Sequence, residues 1–389
     1  MSIWQAIQKW RNPTIDWVED PSTPLVNPPG EHDALLVVCG EPSGDLMGAE
    51  ALAALGRPAF GIGGPELRRA GLESLVPMER LSAMGLNAAR KLFSLRRAFS
   101  EIERAVATRH PRVALLIGFS DFNARLGALL RRGGTRVVWY APPQIWAWRA
   151  ARGPKLLASA DHFALLLPFE EALWRSLGAR ANYVGHPALG WYSAGVERVG
   201  GQVALLPGSR AHEVRRLWPI LESAARLLRR AQPRLRFELA LSPALPKPLR
   251  TELSRAARRA GFEASHAASP VLARAEVAIC CSGTATLQSA VSGCPPLIVY
   301  PTSRLAELVL ERLVRVQHVG LPNLVLDRRA FPELLGQAVK PKQVAEATLE
   351  LAAALPRYRN ACDELRTRLE SSRALAPGKA VAELVEQYS

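Results

Sequence analysis

The pattern that limits this chain most is an alternation of short apolar runs with segments of helical spacing, beginning at Ala34. In the first half the runs are Ala34–Cys39, Ala59–Ile62, Val113–Gly118, Arg136–Tyr140, His162–Leu167 and Ala181–Val184. The pattern resumes with Val203–Leu206, Arg236–Leu241, Val277–Cys280 and Leu297–Tyr300. Strands alternating with helices imply parallel sheets joined by helical crossovers, an α/β class. At 389 residues the chain is too long for one ordinary core and suits two units of about 150–200 residues. The simplest reading is two doubly wound, Rossmann-like halves meeting near residue 195, with ligand in the crevice outside the strand ends. On that reading residues 1–32 are an extension and linker, 33–195 a first domain, and 196–389 a second domain ending in C-terminal helices.

Two turns in the second half mark where chemistry belongs. The stretch Cys280–Gln288, Cys-Cys-Ser-Gly-Thr-Ala-Thr-Leu-Gln, follows a strand and opens a helix marked by Leu287, Ala290 and Val291. Such a turn aims free backbone N–H groups and hydroxyls beyond the strand end, which favours an anion such as a diphosphate. A plain helix cap by Ser282 or Thr284 is the competing reading. A second turn, Leu206-Pro207-Gly208-Ser209-Arg210, again follows a strand and precedes an amphipathic helix. Two such turns in one sheet favour the phosphate site.

Fifty Lys and Arg against 35 Asp and Glu give a net charge of +15, which suits an anionic partner. An arginine-rich composition throughout would give the same excess. No strand interleaves basic and aromatic residues, which disfavours nucleic acid. The basic segment from Met84 to Val106 carries Leu86, Leu92, Phe93, Leu95, Phe99 and Ile102 among Arg90, Lys91, Arg96, Arg97 and Arg104. It reads either as a helix lying in an anionic membrane interface or as a crossover helix with a solvated charged face. No apolar run approaches the ~18 residues that span a bilayer, and no signal peptide is legible, so a cytoplasmic location is expected. Five cysteines without metal-ligand spacing read as small apolar fillers.

Taken in order, further motifs narrow the reading. They are Gly40-Glu41-Pro42-Ser43-Gly44-Asp45, Gly63-Gly64-Pro65, Met84-Gly85-Leu86, Asp121-Phe122-Asn123 and Pro143-Gln144-Ile145-Trp146-Ala147-Trp148-Arg149. Beyond these lie Leu167-Pro168-Phe169-Glu170, Val184-Gly185-His186-Pro187, Leu206–Arg210 with Glu213, Ser282–Thr286 and Leu321-Pro322-Asn323. From about residue 34 to about 370 the chain resembles the lipid A disaccharide synthases, glycosyltransferases of the two-domain GT-B fold.

The resemblance implies transfer of an acylated glucosamine from UDP to an acylated glucosamine 1-phosphate through a β-1,6 linkage. The implied partners are a UDP-linked acylated sugar, a glycolipid acceptor and the anionic inner face of the cytoplasmic membrane, with no cofactor. No Asp-x-Asp motif offers a divalent-cation carrier for the diphosphate. Arg210, Ser282, Gly283, Thr284, Gln288 and Asn323 would surround the UDP, the arginine presenting a planar fork to phosphate oxygens. Ser43 and Gly44 would face the crevice beside Glu41 and Asp45, although Ser43 and Asp45 also suit helix caps. Trp146, Trp148 and Arg149 either wall the sugar and phosphate or pack the interior. His186 either lines the crevice or is a hydrogen-bonded interdomain histidine. The resemblance turns the basic helix toward the membrane, through Leu92, Phe93, Arg96, Arg97 and Phe99.

Two positions depart from the family. Where its members carry the aspartate proposed as general base, this chain has Gly118, in Ile117-Gly118-Phe119-Ser120-Asp121. Glycine cannot accept a proton, so Glu41, Asp45 and Asp121 are the candidate replacements. Gln288 stands where the family places a glutamate for the ribose hydroxyls.

Overall fold

The computed structural model describes residues 34–82, 88–146, 152–192, 195–301, 318–371 and 375–389. The expected extension over 1–32 lies outside the described residues, as do Trp148 and Arg149.

Strands β1 (Leu35–Cys39), β2 (Ala59–Gly63), β3 (Leu72–Pro77), β4 (Val113–Ile117), β5 (Arg136–Tyr140), β6 (His162–Leu165) and β7 (Ala181–Tyr183) form a seven-stranded sheet. Its spatial order is β3-β2-β1-β4-β5-β6-β7. A six-stranded sheet follows, built from β8 (Gln202–Leu206), β9 (Arg236–Ala240), β10 (Glu263–Ser265), β11 (Val277–Cys281), β12 (Pro296–Tyr300) and β13 (Glu333–Leu335). Its order is β10-β9-β8-β11-β12-β13, and all pairings in both sheets are parallel. The central strands β1 and β4 are buried at every residue, as apolar runs covered on both faces must be. The sequence pattern misses β3, β10 and β13, which lie at sheet edges and carry Glu73, Glu263 and Glu333 in place of a continuous apolar run.

Strand order reverses between β1 and β4 and again between β8 and β11. In sheets of this kind the loops on the two sides of such a reversal diverge, and ligands sit outside the carboxyl ends of the strands there. The turns after these four strands are Gly40–Glu41, Gly118–Phe119, Leu206–Arg210 and Ser282–Gly283.

The helices needed below are α1 (Pro42–Leu55), α2 (Pro65–Arg69), α3 (Ala88–Arg109), α4 (Ser120–Arg132), α5 (Glu170–Ser176), α6 (Ala211–Ala231), α7 (Thr284–Val291), α8 (Leu321–Leu326), α9 (Leu355–Glu370) and α10 (Pro377–Glu386). Helix α1 begins at Pro42, because proline's fixed φ and missing N–H suit the first helical turn.

Helix α3 is a crossover helix on one side. Ala98, Ile102 and Val106 are buried in the first sheet's core, with Leu95, Phe99 and Ala105 packed alongside. Phe99 therefore faces inward, edge-on to Phe122 at 5.5 Å, and is not part of an outward membrane face. On the other side Phe93 is 70% exposed and Arg96 and Arg97 are exposed, while Leu92 is half-buried.

Helix α10 returns to the first sheet. Its Val381, Leu384 and Val385 complete the core beneath β1 and β4, and a Cβ at Gly378 would lie 2.9 Å from the Glu50 backbone of α1. The end of the chain thus packs with the first sheet, not with the second as the sequence division had it. Between the sheets lies a further apolar cluster. Leu167, Tyr183, Ala188 and Leu189 meet α7, α8 and α9 there, and the Tyr183 hydroxyl donates to Leu369 O at 2.8 Å.

Candidate active site

On the first sheet, Glu41 is the N-cap residue of α1 in extended conformation, its side chain exposed and making no cap bond. Ser43 is exposed one turn-position on. Gly44 is buried, and a Cβ there would stand 2.8 Å from Cys39 Sγ, so this glycine permits close packing of α1 on its strand and does not face substrate.

Asp45 is also withdrawn from the crevice. It is 2% exposed, and its carboxylate accepts from the backbone N–H groups of Gly64 at 2.7 Å, Glu66 at 2.9 Å and Leu67 at 3.2 Å. Those amides open α2, and without Asp45 they have no partner inside that helix. A carboxylate so engaged fixes a loop and has no free oxygen to take a substrate proton.

Gly118 and Phe119 both adopt left-handed backbone, with φ of 51° and 48°. The turn is held from three directions. Gly118 N–H donates to Tyr140 O at 2.9 Å, and its carbonyl accepts from Asn123 Nδ2 at 3.0 Å and Trp139 Nε1 at 3.1 Å. A Cβ at Gly118 would meet nothing within 4 Å, so the position opens onto free space. The Phe119 ring lies over Gly40, whose added Cβ would come within 2.4 Å of it, and stacks on Phe122 at 4.7 Å. Asp121, in the first turn of α4, is exposed and ion-paired with Arg152.

On the second sheet the turn after β11 does not form the side-chain cap that was the competing reading. The N-cap of α7 is Gly283, with φ of 137° and no side-chain cap. The Ser282 hydroxyl instead donates to Val319 O at 3.3 Å, and Thr284 is exposed in the first turn. A Cβ at Gly283 would touch nothing within 4 Å. The opposite end of α7 is neutralised, for Arg366 Nη1 donates to Val291 O at 3.1 Å and Arg198 donates to Ser292 O. A helix with cations at its C-terminus and uncapped N–H groups at its N-terminus presents a positive end to the crevice.

Arg210 is the N-cap residue of α6, with a largely exposed side chain on Glu213 at 2.8 Å. Its guanidinium is held above the ordinary arginine range first by that hydrogen bond, with the Glu213, Tyr300 and Glu41 charges adding to the rise. Glu41 belongs to the first sheet, so the two turns are within electrostatic reach of each other. Gly208, at φ 115°, leaves room for Glu213, whose Oε2 would lie 2.9 Å from a Cβ there.

A family model described as lipid-A-disaccharide synthetase matches residues 35–381. A lipid-A-disaccharide synthase of Anaeromyxobacter sp. (strain K) is 37% identical over 332 residues, covering 80% of this chain and 86% of the relative. That of Syntrophus aciditrophicus is 33% identical over 364 residues, with coverages of 89% and 94%. The chain belongs to the lipid-A-disaccharide synthetase family. Solved structures with the same fold include Acinetobacter baumannii MurG, at a TM-score of 0.54 and 13% identity over 91% of this chain and 99% of that one. A UDP-GlcNAc 2-epimerase from Neisseria meningitidis, solved with UDP-GlcNAc, aligns at 0.56 and 9% identity, covering 91% and 98%. The architecture is GT-B, and this family member is a glycosyltransferase.

Within this family member, the residues singled out from sequence divide into two groups. Glu41, Ser43, Arg210, Ser282, Gly283 and Thr284 all lie at the two switch points. Gln288 follows Thr284 by one helical turn and is half-buried. Asn323 does not join them. It is fully buried, its Nδ2 donating to Phe331 O at 2.9 Å and Glu333 Oε1 at 2.8 Å while its Oδ1 accepts from Phe331 N–H at 2.8 Å. Glu333, which the sequence reading passed over, also accepts from the N–H groups of Val319 at 3.2 Å and Gly320 at 2.9 Å. Asn323 and Glu333 thus fix the turn that receives the Ser282 hydroxyl, one step removed from any nucleotide.

His186 is buried and accepts the Ala188 N–H on Nδ1 at 3.0 Å, which leaves its proton on Nε2. Burial holds its pKa down to about 4, so the ring is neutral near pH 7. Trp146 donates through Nε1 to the buried Glu170 at 2.8 Å. Arg149 is outside the described residues.

Proposed function

We propose that the chain transfers 2,3-diacylglucosamine from UDP to 2,3-diacylglucosamine 1-phosphate, forming a β-1,6 linkage and releasing UDP, at the inner face of the cytoplasmic membrane. The observation that carries the donor half is the uncapped, positively polarised start of α7 lying across from Arg210. The diphosphate would rest on the N–H groups of Gly283 and Thr284 and on the guanidinium, with Gln288 toward the ribose. As the bond from the anomeric carbon to the diphosphate oxygen breaks, these donors stabilise the departing charge without reorganising.

The acceptor 6-hydroxyl attacks from the opposite face, so the α-linked donor gives a β-linked product. Its proton needs a base, and Gly118 supplies none. Of the three candidate carboxylates, Asp45 is consumed by backbone amides and Asp121 is paired with Arg152. Glu41 has an exposed carboxylate with no side-chain hydrogen bond among the described residues, in the turn after β1, the strand paired with the one that precedes Gly118, and within reach of Arg210's field. We assign it the base.

No helix among the described residues is long and apolar enough to cross a membrane. The exposed Phe93, with Arg96 and Arg97 beside it, supports contact with an anionic bilayer that presents the acylated substrates. A second reading, a different lipid acceptor, rests on the open space at Gly118. Incubating both acylated substrates with enzyme and EDTA, then identifying the product by mass and by its anomeric coupling, separates them. A β-linked disaccharide supports the assignment, and UDP release with no disaccharide excludes it.

A further inference from the structure

Glu170 is a carboxylate buried where none is needed for packing. It opens α5, beyond the short turn that leaves β6, and is 3% exposed. Both of its oxygens are engaged by donors. Oε1 accepts the indole N–H of Trp146 at 2.8 Å, and Oε2 accepts the Leu167 N–H at 3.0 Å, with the Leu166 N–H contributing as well. Trp146 follows β5 and Leu167 follows β6, so one side chain joins two neighbouring strand-end turns of the first sheet. Trp146 also sits edge-on to Phe169 at 5.2 Å. Both rings pack against the interdomain cluster to which α7 contributes Leu287, Ala290 and Val291. The helix whose first turn would receive the diphosphate therefore shares an apolar cluster with the residue that Glu170 holds.

We propose that Glu170 is a positioning residue, which acts through Trp146 to seat the acceptor-side turns of the first sheet on the donor helix α7. The inference rests on the reaction assigned above for its kinetic arm alone. An isosteric glutamine cannot replace this carboxylate. Whichever way the amide is turned, its NH2 group faces either the indole N–H or the backbone N–H groups, and a donor meets a donor. The resulting shift in Trp146 moves the two half-sites relative to each other, and small misplacements of reacting groups cost large factors in rate. UDP affinity, which depends on the second sheet alone, should be preserved.

The test compares wild type, E170Q, W146F and the double variant in turnover, in UDP binding by calorimetry, and in peptide hydrogen exchange. W146F keeps the ring in the cluster and removes only the donor. The expected result is a fall of at least tenfold in kcat for each single variant, with Kd for UDP within twofold of wild type and no further loss in the double variant. Exchange should quicken in the peptides covering Pro143–Trp146 and α7 and stay unchanged in β8 and β9. If the wild type exchanges and responds in this way but does not turn over, the positioning role stands and the assigned reaction falls. Unchanged α7 exchange in E170Q overturns the inference, as does acceleration that extends equally to β8 and β9, the mark of a residue that serves only overall stability.

Discussion

At the residue scale, what separates site from scaffold is where the backbone amides are. Asp45 and Asn323 sit in motifs beside strand ends, as active-site residues do, yet each is spent on N–H and C=O groups from turns elsewhere in the chain. The partners of Asp45 come from Gly64, Glu66 and Leu67, a demand visible only once β2 has brought α2 alongside α1. Glu41 and Arg210 were legible because nothing else claims them apart from Glu213. Asp45→Ala should accordingly lower stability by about 3 kcal/mol in urea unfolding, since it strands buried donors. Glu41→Gln should leave stability and UDP affinity unchanged while lowering kcat about 10²- to 10⁴-fold, the usual worth of a general base. Aspartate tolerates left-handed backbone better than most residues, so G118D should fold and restore part of the turnover lost in E41Q. Arg210→Ala should weaken UDP binding by about 10- to 100-fold in calorimetry, as expected for a charge-assisted hydrogen bond.

At the element scale, helical spacing alone misassigns the faces of α3. Its apolar residues are too many for one stripe, and only the packed sheet decides which of them lie inside. Ile102 and Phe99 are claimed by the core around Phe122, whereas Phe93 is left outside among arginines. The crossover expectation holds for the inner side of this helix, and the proposed membrane contact belongs to its exposed side. Replacing Leu92 and Phe93 with serine should reduce co-sedimentation with anionic vesicles at little cost to the melting temperature. Phe99→Ala should do the reverse, costing about 2–3 kcal/mol for a partly buried ring while leaving vesicle binding intact. Helix α7 carries the complementary lesson. Ser282 and Thr284 are good cap residues by type, but Gly283 takes the cap position and Ser282 turns to Val319, leaving the first amides of α7 without a side-chain cap.

At the scale of the whole molecule, the alternation of strands and helices was enough to foresee both parallel sheets. It did not give the edge strands β3, β10 and β13 or the return of α10, because strands broken by glutamate and serine offer no continuous apolar run and a helix that crosses back leaves no mark in the local pattern. Two buried titratable groups, Glu170 and His186, also make stability depend on pH. Burial raises the Glu170 carboxyl to about 7, so the folded protein takes up a proton as pH falls from 7 toward the unfolded value near 4.5, and this group's stability is lost as pH rises through that range. His186, lowered to about 4 by burial, has the opposite sign, its stability being present above about 6.5 and lost as pH falls toward 4. The two slopes offset each other between about pH 4.5 and 6.5. E170Q removes one of them, and its melting temperature should fall more steeply than that of wild type between pH 6.5 and 5. The most direct test of the central claim, a donor site on α7 and Arg210 served by Glu41 across the crevice, is acceptor-dependent UDP release in EDTA by wild type and E41Q. Wild type should release UDP only when the acylated glucosamine 1-phosphate is present, and E41Q should release it at least a hundredfold more slowly with UDP still bound. Equal rates in the two proteins, or no acceptor-dependent release by wild type, would contradict that claim.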